Sequence, residues 1–148
     1  MMSSSKEKRL KRLVEVRKRQ RDEVGVAVRK ARTTRDEQDA KYRESVDAVN
    51  EELRSAQIKL LEALNPDQRR LQIECLIASQ ADAAMEEQAL KKAEAHLLSE
   101  TTRLSRAHSK MRQVEILAQA QRKADLDKAD KAEQKESDDL SATKESSQ

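Results

Sequence analysis

The chain has almost none of the residues that bend a backbone: one glycine, Gly25, and one proline, Pro66, in 148 residues. A fold rich in turns, bulges and hairpin strands is excluded, because those need glycine and proline at many points. Phe and Trp are absent and Tyr42 is the single aromatic residue. Charged residues make up 40% and hydrophobic ones 36%, a balance that cannot fill a thick core but suffices for a narrow helical seam. The one cysteine, Cys75, excludes an internal disulfide and reads as a seam or flank residue. The longest apolar runs are a few residues, such as Val24 to Val28 broken by Gly25. A spanning helix needs roughly 20, so no transmembrane segment is expected. No apolar stretch of secretory type follows the basic start Lys6–Arg21, so the chain is expected to stay in the cytosol.

The same scarcity removes several chemistries. Phosphate-cradling loops are built from glycines, and Gly25 sits inside a helical stretch, as a close-contact point, a weak place or a product of neutral drift. His96 and His108 are twelve apart, point to different faces of a helix and have no third ligand at metal spacing. The many carboxylates lie on solvated faces without a pocket to shift them. No catalysis, cofactor or metal is assigned.

What is present is helix. Lys6 to Leu64 and Pro66 to Asp138 run without a breaker, and Asn65-Pro66-Asp67 is the one strong interruption. Proline disfavours a helical residue before it and suits the first turn of a new helix. Asn65 is a good cap, and Asp67 complements the helix dipole. The fold expected is all-α: a long antiparallel two-helix coiled-coil hairpin with frayed termini, forming a single domain. Helix one spans about 6–64 beneath a Ser5 cap, the corner 65–67, helix two about 66–138, and a flexible tail 139–148. Helices of that length would run about 90–110 Å.

In helix one, Tyr42, Val46, Val49, Leu53, Ala56, Leu60 and Ala63 alternate at three- and four-residue steps, a clean seam. The earlier stretch with Leu10, Leu13, Val14, Val24, Val28 and Ala31 is interrupted by Arg17, Arg21 and Arg35, and its phase slips before Tyr42. Loose pairing is expected there. In helix two Leu76, Ala83, Leu90, Leu97, Leu104, Met111 and Ala118 recur every seven residues, with Ala93, Ala107 and Val114 in part of the second seam position.

The net charge of +3 conceals an asymmetry: residues 1–35 carry thirteen basic and four acidic side chains, 36–121 twelve and sixteen, and 122–148 six and eight. In an antiparallel hairpin the basic first turns would face the acidic last turns, selecting that pairing. A positive surplus would remain to meet an acidic partner. Specific nucleic-acid recognition is not expected. No Asn precedes Asn50, no Leu zipper follows the basic stretch, and stacking aromatics are missing. Non-specific binding at low salt is compatible with the charge.

Arg9-Leu10-Lys11-Arg12-Leu13-Val14-Glu15-Val16-Arg17 resembles the opening of the YscO/HrpO/FliJ-type stalk proteins of type III secretion and flagellar export. Lys110-Met111-Arg112-Gln113-Val114-Glu115, followed by Gln134-Lys135-Glu136-Ser137-Asp138-Asp139, is similar to that family's charged finish. Length, hairpin and central corner match over nearly the whole chain; the missing Trp and Phe depart from many members. The resemblance implies a non-enzymatic stalk, monomeric when free and peripheral at the inner-membrane export apparatus. Its joined termini enter a hexameric export ATPase, its corner end faces the export gate protein, and it also binds secretion chaperones. Arg9, Arg12, Arg17, Arg19 and Arg21 would then contact the ATPase, and Tyr42, Val46 and Val49 the gate or a chaperone, although Tyr42 equally suits the seam. The alternatives from other classes are a generic coiled-coil adaptor or oligomerising scaffold and a non-specific basic nucleic-acid binder.

Overall fold

The computed structural model describes residues 4–62 and 65–146. It is all-α: α1 (Ser5–Leu60) and α2 (Pro66–Ser146) pack against each other as a hairpin. Cross-helix hydrogen bonds establish the antiparallel order. Ser4 pairs with Asp125, Gln38 with Glu86 and Lys59 with Gln72, so partner numbers fall as α1 advances. The chain divides into two compact units, Met1–Val24 with Leu104–Gln148 and Gly25–Arg103.

The helix ends follow from their caps. Ser4, not Ser5, caps α1: its Oγ accepts the Glu7 amide at 3.1 Å and its carbonyl accepts the Lys8 amide at 3.1 Å. The other end comes at Leu60, where the amides of Leu61 and Glu62 turn back to the carbonyls of Ile58 and Lys59, both at 3.1 Å. These i→i+3 bonds tighten and stop the last turn. The seam role expected of Leu60 and Ala63, and the helix end expected at Leu64, fall outside the described side chains. Asn65 caps α2 as expected and does so reciprocally: its Oδ1 accepts the Gln68 amide at 2.8 Å, and its own amide donates to Gln68 Oε1 at 3.1 Å. At its far end α2 continues to Ser146, past the boundary expected at Asp138. Residues 139–146 lack an apolar stripe but contain no breaker. The missing stripe removes packing, not helical conformation.

The seam is more regular than the apolar pattern suggests. On α1, Glu7, Val14, Arg21, Val28, Arg35, Tyr42, Val49 and Ala56 recur every seven residues, and all are buried or half-buried. Leu10, Arg17, Val24, Ala31, Gln38, Ser45 and Glu52 form the second row under the same condition. The expected phase slip before Tyr42 is therefore absent: Arg35 and Gln38 hold the register. Long polar side chains can lay their stems along a seam while the polar end reaches out. On α2 the expected row from Leu76 to Ala118 faces inward, as do Ala93, Ala107 and Val114.

The quality of packing reverses the expectation. Val14, Val24, Val28 and Ala31 are buried, together with Leu90, Met111 and Val114, whereas the supposedly clean row at Tyr42, Val46, Val49 and Ala56 is only half-buried. Leu53 is exposed, and Glu52 takes the seam position beside it. The charge argument also fails. Ser4 lies against Asp125, so α1's start faces residues 104–125, which carry five basic and two acidic side chains. Each described side chain from Asp130 to Lys144 is exposed, so the acidic last turns run on beyond that pairing.

Candidate functional site

In the unit formed by Met1–Val24 and Leu104–Gln148, the start of α1 is tied to α2 by a short polar chain. Ser4 Oγ donates to Asp125 Oδ2 at 2.7 Å while accepting the Glu7 amide, and Gln121 Nε2 donates to Asp125 Oδ1 at 2.9 Å. Glu7 is buried, with Lys11 Nζ at 3.6 Å from its Oε1. A shallow groove of 510 Å³ opens beside this anchor, floored by Val14 and Ala118. Lys11, Arg12, Lys18 and Arg122 line it with Glu7, Glu15 and Glu115.

The five expected arginines divide into two sets. Arg9, Arg12 and Arg19 are exposed. Arg17 and Arg21 occupy seam positions and are half-buried. Arg17 donates through Nη1 to Gln20 at 3.1 Å, and its Nε is buried with no hydrogen-bond partner among the described residues. Arg21 donates through Nη1 to Met111 Sδ at 3.1 Å and through Nε and Nη2 to Asp22 at 3.2 and 3.0 Å. Heptad spacing, not composition, separates the two sets, because positions 17 and 21 belong to the rows that begin at Leu10 and Glu7.

In the unit Gly25–Arg103, Tyr42, Val46 and Val49 are half-buried, with Tyr42 and Val49 on the seam rows. The exposed apolar surface lies elsewhere, on Ile58 and Leu61 and on the start of α2 at Leu71, Ile73, Ile77 and Met85. Ile73, Ile77, Ala81 and Ala84 follow helical spacing on a side of α2 turned from the seam, and all four are exposed. Residues 71–90 carry Glu74, Asp82, Glu86 and Glu87 and no Lys or Arg. A helix with two apolar sides has more than one neighbour to satisfy. The signal was legible as a second i, i+4 stripe next to the Leu76 row, inside a stretch free of cations.

Cys75, His96 and His108 are exposed. Among the described residues no three His, Cys, Asp or Glu side chains converge on a point that could hold a metal ion. No described helix is long and apolar enough to cross a membrane. The arrangement presents two chemically distinct surfaces: a basic one flanking the Ser4–Asp125 anchor, and an apolar, acidic one beside the corner. No protein-family model, curated protein or solved structure matches this chain.

Proposed function

We propose that this hairpin is a non-enzymatic stalk that joins a hexameric export ATPase to the export gate of a type III secretion or flagellar apparatus, and that it also receives secretion chaperones. The family likeness of its sequence motivates the identity of the partners. The observation that carries the reading is the division of surface chemistry on one coiled coil. The unit containing both termini presents Arg9, Arg12 and Arg19 on a paired helix and lets α2 continue alone past Ser4. The unit containing the corner presents Ile73 and Ile77 in a stretch without cations. A basic surface suits the acidic wall of a ring, and an apolar helix side suits a protein that docks by burial. On this reading Tyr42 and Val49 fill the seam and the gate contact belongs to Ile73 and Ile77.

Light scattering on size-exclusion chromatography tests it, with the chain alone and mixed with a candidate export ATPase. A monomer of 16.9 kDa that shifts the ATPase to a hexamer is the expected result. Arg9→Glu/Arg12→Glu/Arg19→Glu should abolish that shift, whereas Ile73→Glu/Ile77→Glu should retain it and lose binding of the gate protein. A stable homodimer indifferent to the ATPase would leave the scaffold reading in its place.

A further inference from the structure

We infer that the corner is a monomer lock: it prevents this chain from opening into a domain-swapped dimer held by the same seam. The hairpin pairs α1 with α2 through contacts such as Gln38 with Glu86 and Lys59 with Gln72. Two opened chains lying antiparallel could form each of those contacts between copies. The seam therefore does not by itself choose between one chain and two, and domain exchange is a low-cost route to a dimer where the connecting segment permits it. The choice falls to the five residues between Leu60 and Pro66.

Three features of that segment oppose a straight helix. Pro66 lacks the amide an uninterrupted helix needs, and its ring would strike the carbonyl four residues earlier. The reciprocal bonds between Asn65 and Gln68, at 2.8 and 3.1 Å, commit the backbone to starting a helix there. The third feature is phase. The α1 row at 42, 49 and 56 would continue to 63, 70 and 77, but the α2 row stands at 76, 83 and 90, one residue early. A helix continued through the corner would turn the second stripe by about 100° from the first, which weakens the contact two straight copies can keep along both halves. Pro66 alone, placed inside a helix, costs about a hundredfold per chain, hence about ten-thousandfold in the association constant of a dimer with two such corners.

The occupant excluded is thus a second copy of this chain, and the test needs no other partner. Light scattering over about 1–200 μM (a span chosen to bracket common affinities) would compare three full-length forms. These are the native chain, Pro66→Ala, and Pro66→Ala with one alanine inserted between Leu61 and Glu62 to restore the seven-residue phase. Circular dichroism would follow helix content. The native chain should stay at 16.9 kDa. Pro66→Ala should dimerise at the upper end of the range with its helix content kept, and the insertion should lower the dimerisation midpoint at least tenfold further. A native dimer would overturn the inference, and so would two monomeric variants. Loss of helix on Pro66→Ala would also overturn it, because that change relieves a helix constraint and imposes none. An insertion no stronger than Pro66→Ala would remove the phase element and leave the proline. Failure of the native chain to bind an export ATPase would count against the proposed function and leave this result untouched.

Discussion

Val14, Val24, Met111 and Val114, in the unit that holds both termini, are each less than a tenth exposed; between Arg35 and Ala56, and between Gln72 and Ala89, no described side chain is buried. The difference lies in what shares a layer. The register set by Ser4–Asp125 and Arg21–Met111 brings Val14 to the turn of α2 between Val114 and Ala118. The register set by Gln38–Glu86 and Lys59–Gln72 brings Tyr42 to the turn of α2 that holds Ala83 and Glu86, and Val49 to about the level of Ser79. An apolar side chain excludes water only when its opposite number does the same. The stretch with the more regular apolar spacing on one helix is therefore the less buried, because the other helix offers it small or polar partners such as Ser79, Ala83 and Glu86.

Met111→Ala should show that difference most strongly. Met111 is 3% exposed, so truncation leaves a cavity against α1 and removes the acceptor of Arg21 Nη1. The expected loss is about 2–3 kcal/mol, the lower part of the range for buried Met to Ala. Val49→Ala should cost less than about 1 kcal/mol, since that side chain is only partly withdrawn from water. Urea unfolding of both variants, with fluorescence replaced by circular dichroism in this Trp-free chain, measures the ratio. Equal losses would erase the distinction between the two stretches.

Helix, corner, cap and the whole Leu76 row of α2 were legible because each rests on a local signal: the absence of breakers, Asn-Pro, and a seven-residue recurrence. The α1 register was not. Glu7, Arg17, Arg21, Arg35 and Gln38 occupy seam positions that an apolar search passes over, so the true repeat looked interrupted. The run from Tyr42 to Ala63 looked clean, although Val46 and Leu53 stand one position past the seam row of Ser45 and Glu52. Burial in a two-helix seam depends on the facing helix, and a single-strand pattern does not contain it. The arginines at the basic end were legible as a group, but which of them reach solvent was decided by that same hidden register.

Arg17→Leu should sharpen the comparison in the opposite direction. A buried guanidinium nitrogen without a partner is unfavourable, and leucine fills the same seam row with no polar atom to satisfy. Stability should rise by about 1–2 kcal/mol, seen as a later urea midpoint. On the stalk reading proposed above, Arg17→Leu should leave binding of an export ATPase unchanged, because Arg17 turns into the seam, whereas Arg12→Leu should weaken it. Gly25→Ala should stabilise by about 1 kcal/mol. A Cβ built there meets nothing within 4 Å and the residue has no positive φ, so Gly25 is a weak place and not a close contact. A fall in thermal midpoint on this change would mean that the helix needs the glycine for some other neighbour.

The smallest effect tests the register most directly. Leu53 is 39% exposed, and Glu52 beside it is the half-buried member of the pair. If the apolar pattern ruled, Leu53→Ser would remove a seam residue and cost as much as any leucine truncation. With Glu52 in the seam, Leu53→Ser should change stability by less than about 0.5 kcal/mol, the usual range for surface positions. Glu52→Leu should instead gain stability, by adding an apolar side chain where Leu76 faces inward on α2. The sign of the second change matters more than its size. A gain at 52 with silence at 53 places the seam one residue earlier than the leucines indicate. A loss at both would restore the register read from apolar spacing and with it the clean seam beside the corner.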